Sequence, residues 1–302
     1  MPFKNILVAL DGSHNSQIAS EYAFWLASDL GAKLAGQHVV DPRLVDLFIE
    51  PQFAAELGFN QTEDASDKVF SALRKIGNVI LELFATEAVG RGLRTLVFLD
   101  EGNVVSEILK YSGEFDLLVM GHRGKHQRKS PGHIVLGSVA ERVILGADVP
   151  VLITIQPVSK IKQILVAYDG SEPARGALLM AEQLAKETNR KLKAIIVLNS
   201  HQSKDTVKAL VDDGELFLRE KWPEDVFLIK EGAVAETILD YASSSDSLLV
   251  LGSYGFSDPE LNVLGTTTTK VIRATKTSVL VYRRALKTSI AKDDELLTRI
   301  SK

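Results

Sequence analysis

Apolar runs alternate with amphipathic stretches along the chain. Residues 6–10 (ILVAL) form a continuous apolar run that ends at Asp11, which is typical of a strand buried on both faces. Residues 16–30 place apolar side chains at helical spacing and stop at Gly31. The same reasoning predicts strands at 34–40, 93–99, 116–120 and 149–155 and helices at 67–89, 104–112 and 138–147. This alternation predicts an α/β fold with a mostly parallel sheet and helices on both faces.

The whole pattern occurs twice. Residues 4–13 (KNILVALDGS) return as residues 162–171 (KQILVAYDGS), with eight of ten positions identical. An internal repeat of this extent indicates a duplicated domain. We therefore expect two tandem domains, at 1–157 and 158–302, with an inserted loop at 42–66 in the first and a charged tail at 286–302 in the second.

Composition narrows the classes of function. Of 302 residues, 45% are hydrophobic and 25% charged, which is typical of a globular protein. The chain has no cysteine, which excludes a disulfide framework, a cysteine-ligated metal and a cysteine nucleophile. A net charge of −4 argues against nucleic acid or an anionic membrane as partner. No apolar run approaches the roughly 18 residues of a membrane span, and the start lacks the features of a signal peptide, so we expect a cytoplasmic location.

A glycine loop after the fourth strand of each copy is the strongest chemical signal. Residues 121–138 read GHRG, twelve residues and GS, and residues 252–266 read GSYG, nine residues and GT. Glycines let the backbone approach a phosphate and adopt positive φ, and the start of the following helix favours an anion. The alternative is that the glycines are turn residues and that Ser138 and Thr266 are helix N-caps.

These motifs resemble those of the universal stress protein family. The shared segments are ILVALDGS and ILVAYDGS, HVVD and VLNS, DLLVMGHRG and SLLVLGSYG, and LGSVAERVI and LGTTTTKVI. The chain is similar to a tandem member of that family over both halves, apart from 42–66 and the tail. The resemblance implies two five-stranded, Rossmann-like domains of the adenine nucleotide alpha-hydrolase-like type, with strand order 3-2-1-4-5. It also implies that their fifth strands pair, forming a pseudo-dimer within one chain.

The resemblance further implies an adenine-nucleotide site in each copy. ATP is the expected ligand, with Mg²⁺ as an optional companion and AMP as an alternative. An aspartate would lie by the ribose and phosphates, a strand-two valine would meet the adenine through its backbone, and the glycine loop would hold the phosphates. In the first copy these residues are Asp11, Val39, Gly121, Gly124, Gly137, Ser138 and Val139. In the second copy they are Asp169, Val197, Gly252, Gly255, Gly265, Thr266 and Thr267.

The two copies depart from the family pattern in opposite ways. The ATP-binding members carry G-x2-G-x9-G-[S/T], and only the second copy keeps that spacing. The longer loop of the first copy contains Lys125, Arg128 and Lys129, whose charge would help to hold phosphates. The loop of the second copy contains Asp258 and Glu260, which would repel phosphates unless they face away or hold Mg²⁺. These features do not rank the two sites.

Two functions stay open at this point. The first is a stress-response regulator that binds an adenine nucleotide and is at most a slow ATPase, because no motif supplies a general base or a phosphoryl-transfer cation. The second is a scaffold of the same fold that acts through homo-oligomers or protein partners without a nucleotide. No catalytic or metal-binding residue is predicted: His122 and His126 lack carboxylate companions, and His38 is interpreted as a packed side chain.

Overall fold

The structure is a computed structural model that describes residues 3–44, 62–124, 136–198, 204–253 and 264–283. Its strands are β1 (Asn5–Ala9), β2 (Lys33–Val40), β3 (Thr95–Glu101), β4 (Leu117–Gly121), β5 (Val151–Thr154), β6 (Gln163–Ala167), β7 (Lys191–Leu198), β8 (Phe227–Glu231), β9 (Ser247–Gly252) and β10 (Val279–Tyr282). Its helices are α1 (His14–Leu30), α2 (Thr62–Gly90), α3 (Val104–Lys110), α4 (Ser138–Gly146), α5 (Glu172–Glu187), α6 (Lys204–Phe217), α7 (Val234–Ser244) and α8 (Thr266–Ala274).

The ten strands form one sheet in the order β3-β2-β1-β4-β5-β10-β9-β6-β7-β8. Within each copy the neighbouring strands are parallel and follow the order 3-2-1-4-5. The two copies join where β5 pairs with β10 in the antiparallel direction, with Leu152 opposite Leu280. The predicted α/β fold and the pairing through the fifth strands are therefore confirmed.

Two apolar cores lie on opposite faces of the sheet. Because successive side chains of a strand point to opposite faces, Ile6 and Val8 pack with Tyr22 in one core, whereas Leu7 packs with Ile144 in the other. Each core contains residues of both copies. The two copies therefore share continuous apolar layers in addition to a shared sheet.

Several predicted boundaries differ from the structure, and three of the differences have a clear structural reason. Helix α2 begins at Thr62, so the prediction that 62–66 belongs to an inserted loop is wrong. Strand β3 lies later than the predicted 93–99, because its parallel pairing with β2 continues to Glu101 opposite Val40. Helix α3 ends at Lys110 and a short 3-10 turn follows it, where the pattern predicts helix to 112. The rest of the predicted insertion (45–61) and the tail 286–302 lie outside the described residues, and the division at 157/158 stays a prediction.

The pairing of β5 with β10 generates a stability prediction. The side chain of Leu280 is 1% exposed, so Leu280→Ala leaves a cavity between the two copies and lowers the free energy of unfolding by about 2–5 kcal/mol. The matched control is Leu216→Ala, because Leu216 is 84% exposed and its loss changes stability by no more than about 0.5 kcal/mol. Urea unfolding measures both values. Equal effects of the two variants would contradict the central role of this strand pair.

Candidate functional site

A cavity of about 480 Å³ opens at the carboxyl ends of β1, β2 and β4. Its volume falls in the range of roughly 300–1,000 Å³ that is usual for small-molecule sites. The carboxyl ends of neighbouring parallel strands are also where α/β proteins bind ligands. The cavity is lined by every residue predicted for the site of the first copy, namely Asp11, Val39, Gly121, Gly124, Gly137, Ser138 and Val139.

The loop after β1 fixes a carboxylate at the edge of this cavity. One carboxylate oxygen of Asp11 accepts a hydrogen bond from the backbone N–H of Ser13 at 2.9 Å. Ser13 in turn caps α1, because its hydroxyl accepts from the N–H of Ser16 at 3.2 Å. The other carboxylate oxygen of Asp11 lies so close to Gly124 that a Cβ on that glycine would be 3.0 Å away. The carboxylate therefore faces the start of the glycine loop.

The two ends of each glycine loop are joined by the same hydrogen bond. In the first copy the N–H of Gly137 donates to the carbonyl of His122 at 2.7 Å. In the second copy the N–H of Gly265 donates to the carbonyl of Ser253 at 2.9 Å. Although the loops differ in length, both therefore deliver the next helix to the same place beside the fourth strand.

Positive φ, one of the two reasons predicted for the glycines, does not apply to the last glycine of either loop. Gly137 and Gly265 have φ of −69° and −56°, so the expectation of positive φ is wrong for them. They are themselves the N-caps of α4 and α8, so the alternative interpretation of Ser138 and Thr266 as N-caps is also wrong. Gly121 is required for packing: a Cβ there would lie 2.9 Å from the carbonyl carbon of Asn15 in α1.

The start of α4 is suited to binding an anion. A glycine N-cap has no side chain to bond the first N–H groups of a helix, and α4 has no side-chain cap bond. These N–H groups and the helix dipole favour negative charge. Ser138 and Val139, in the first turn of α4, both line the cavity. Arg123 also lines the cavity and brings a positive side chain to the same loop.

The other end of the cavity is apolar. Its walls come from β2, β4, α3 and α4, with side chains of Val39, Val104, Ile108, Met120 and Val139. Helix α2 closes a further side with Leu73, Ile76 and Ile80. The cavity therefore combines a surface suited to a flat apolar group with a polar end that presents backbone N–H groups.

Histidine and aspartate side chains of the cavity wall have fixed partners. Burial lowers the pKa of His122, whose Nδ1 lies 3.2 Å from the carbonyl of Thr154. His38 places its Nδ1 2.7 Å from the carbonyl of Leu10, in agreement with its interpretation as a packed residue. Hydrogen bonds from Arg43, at 2.9 and 3.0 Å, hold the pKa of Asp41 below its usual value.

The second copy keeps the local geometry of the predicted site. Asp169 accepts from the N–H of Ser171 at 3.0 Å, as Asp11 does in the first copy. The hydroxyl of Thr268, in the first turn of α8, donates to the carbonyl of Gly252 at 2.9 Å. Val197 lies at the end of β7, in the position that Val39 has in β2. Gly255 lies outside the described residues.

One polar cluster distinguishes the second copy from the first. Tyr168 takes the position of Leu10, which lines the cavity of the first copy. Its hydroxyl donates to Asp213 of α6, and Arg175 of α5 binds the same carboxylate at 2.5 and 3.1 Å. The hydrogen bonds from Arg175 hold the pKa of Asp213 below its usual value. These contacts tie α5 and α6 together beside the second predicted site.

Several residues of the first cavity were not predicted from the sequence. Among them are Gln37, Arg123 and the α2 residues Leu73, Ile76 and Ile80. Gln37 carried a detectable signal, since a glutamine within a buried strand needs a polar partner. The basic, acidic and histidine side chains of the two loop interiors lie outside the described residues. Among the residues that are described, no group of His, Asp and Glu side chains is arranged to hold a metal ion.

The fold and the cavity define a tandem α/β protein with a ligand-sized site in its first copy. The sequence profile of the universal stress protein family matches residues 2–154 and again 160–283. The chain therefore belongs to the universal stress protein family, whose members are stress-response proteins. Within the described part of the chain, no helix has the length and apolar character needed to cross a bilayer.

Individual relatives match either the whole chain or one copy. The universal stress protein Slr1230 of Synechocystis sp. is 26% identical over 289 residues, which cover 93% of this chain and 100% of the relative. The universal stress protein MJ0531 of Methanocaldococcus jannaschii is 29% identical over 157 residues, covering 51% of this chain and 84% of its own length. The crystal structure of a universal stress protein from Archaeoglobus fulgidus has a TM-score of 0.67 and 25% identity, and the alignment covers 93% of this chain and 98% of that one.

The buried imidazole of His122 generates a prediction on pH. Its pKa in the folded protein lies below the ordinary value of 6.5, so the unfolded chain binds a proton more readily. The stabilisation is therefore present above about pH 6.5 and is lost as the pH falls below that value. We expect His122→Gln to flatten the decline in unfolding free energy between pH 7.5 and 5.5, as measured by urea unfolding. The exposed His14 supplies the control: a His14→Gln variant that flattens the profile equally would refute this assignment.

Proposed function

We propose that this protein binds an adenine nucleotide, with ATP as the main ligand, in the cavity of its first copy. The observation that carries the proposal is that one cavity collects all seven residues predicted for that site, although they come from three separate parts of the copy. Binding there would allow the protein to act as a nucleotide-responsive regulator in the stress response. AMP, which shares the adenosine part, is the alternative ligand.

The two ends of the cavity suit the two ends of ATP. The apolar walls beside Val39 fit the adenine ring, and the backbone of that valine would meet the ring edge. The start of α4, with its glycine N-cap and the N–H groups of its first turn, fits the phosphates. The carboxylate of Asp11 lines the same cavity beside Gly124, where it would meet the ribose and phosphates. Mg²⁺ would arrive with the phosphates, since it is usually held by phosphate oxygens, waters and one or two carboxylates.

The first copy is the better supported of the two sites. Its wall is apolar where Leu10 stands, whereas the second copy has Tyr168 bound to Asp213 in the corresponding region. Tyr168 and the Asp213–Arg175 ion pair therefore stand where the first copy has an apolar side chain. We therefore assign the main site to the first copy, and the predicted residues of the second copy form a weaker site.

We propose a binding protein and not an efficient enzyme. In the described part of the cavity wall, His38 and His122 already direct a ring nitrogen at a backbone carbonyl, and Asp41 is held by Arg43. These contacts orient the side chains, and no motif of the sequence assigns any of them the role of a general base or a phosphoryl-transfer group. Hydrolysis of a bound ATP would therefore be slow relative to its release.

Calorimetric titration of nucleotide-stripped protein with Mg-ATP tests the proposal. We expect one tight site per chain that is lost in Gly137→Val, because a branched side chain at the N-cap of α4 covers the N–H groups that bind phosphate. The matched control is Gly265→Val, which changes the N-cap of α8 and should leave the tight site intact. Absence of ATP binding to the parent chain would refute the proposal, and the reverse response of the two variants would place the main site in the second copy.

A scaffold function is the second candidate, and one surface favours it. Val79 and Leu83 are 54% and 66% exposed on one face of α2. The corresponding positions in α6 of the second copy are Ala209 and Asp213. If α2 joins two chains, the Val79→Ala/Leu83→Asp variant, which introduces the residues of α6, lowers the sedimentation coefficient of the parent chain. An unchanged coefficient would argue against this self-association.

A further inference from the structure

Gln37 is a buried polar side chain at the apolar end of the cavity. It lies on β2, two residues before Val39, and is only 1% exposed. Its Nε2 donates to a carboxylate oxygen of Asp100 at 2.8 Å and to the backbone carbonyl of Glu107 at 3.1 Å. Within the described part of the chain, its Oε1 has no hydrogen-bond partner. The side chain therefore uses both of its donors and leaves its acceptor unpaired.

The surroundings fix which way the amide faces. Both partners of Nε2 are acceptors, so turning the amide by half a turn would bring Oε1 against the carboxylate of Asp100 and the carbonyl of Glu107. Asp100 is itself held, because its other oxygen accepts from the hydroxyl of Tyr111 at 3.3 Å. The ring of Tyr111 stacks on Phe98, with 5.2 Å between the ring centroids. Two strands and one helix thus keep Oε1 as the free atom.

A buried acceptor without a donor is costly, and such atoms are few in folded proteins. Burial alone does not require a glutamine here. In the second copy the equivalent position is Ile195, which is also 1% exposed. The partner of Gln37 changes with it, since Lys230 stands where the first copy has Asp100. The polar arrangement is therefore particular to the copy that has the cavity.

We propose that Gln37 selects the base of the bound nucleotide, with Oε1 accepting a hydrogen bond from the exocyclic 6-amino group of adenine. This inference rests on the proposed function. A small rotation about the soft terminal torsion of glutamine turns Oε1 towards the ligand while Nε2 keeps its acceptors. A purine with a 6-oxo group places an oxygen against Oε1, and the amide cannot reverse to accommodate it. The site therefore discriminates 6-amino from 6-oxo purines.

Titrations with ATP and with inosine triphosphate (ITP) test this selection. The two ligands carry the same ribose and triphosphate and differ at the purine 6-position, so the phosphate contacts cancel in the ratio of their dissociation constants. The part of the ATP titration that is lost in the Gly137→Val variant reports binding to the site of the first copy. There we expect ATP to bind about tenfold or more tightly than ITP, which corresponds to one buried hydrogen bond gained or left unmade.

Two variants separate selection from stability. Gln37→Ile introduces the residue of the second copy, and we expect it to bring the ATP to ITP ratio close to one. Asp100→Ala removes the side-chain acceptor that orients the amide, and we expect the ratio to fall several-fold while the triphosphate still binds. Asp100 is a positioning residue in this scheme, and the ratio is a readout that a purely structural role would not change. Thermal unfolding followed by circular dichroism shows that each variant is folded.

Each outcome decides the inference. A ratio above tenfold in the parent chain that collapses in both variants supports it. Equal binding of ATP and ITP by the parent chain, or a ratio that survives Gln37→Ile, overturns it while leaving nucleotide binding in place. No binding of either ligand overturns the proposed function and this inference together.

Discussion

The antiparallel pairing of β5 with β10 is the contact on which the rest of the molecule depends. Each of these strands would otherwise be an apolar sheet edge, which invites association with other chains. Their pairing supplies hydrogen-bond partners for the backbone groups of both edges, with Val151, Leu152 and Ile153 opposite Val281, Leu280 and Val279. It also orients the two copies in opposite directions and makes the apolar layers on each face continuous. The tandem fold is therefore one body with two halves of the same topology.

Within each half, the parallel strands determine where a ligand can bind. Their carboxyl ends meet at one edge of the sheet, and the hydrogen bond that closes each glycine loop delivers the following helix to that edge. Gly121 allows α1 to pack against the end of β4, so the strand-one loop and the glycine loop face each other. The site is thus assembled by packing of the scaffold, and the loop interiors can vary in length without moving its two ends.

The sequence was sufficient to predict the duplicated fold, its strand order and the set of residues that the first cavity collects. Periodicity and the repeat predict the duplicated α/β fold, because buried strands and amphipathic helices have distinct patterns. The strand order and the site residues follow from the resemblance to the universal stress protein family. The reason for the glycines was not predictable, since Gly137 has ordinary φ and Gly121 is required by a contact with α1 that only the three-dimensional structure shows. Gln37 was overlooked because its partner Asp100 lies on another strand, and the residues of the two loop interiors stay predictions.

An ion pair connects helices α4 and α8 across the junction, where Arg273 binds Glu141, with 3.1 Å between Nε and Oε1. The pseudo-symmetry-related ion pair is absent, because Thr269 stands at the position equivalent to Glu141 and Leu145 at the position equivalent to Arg273. In a dimer of identical chains, every substitution at the symmetry axis appears twice and must suit both sides. In a tandem chain, a substitution changes only one of the two halves. Each half can acquire its own mutations, so one half can specialise in recognition while the other is retained as its structural partner.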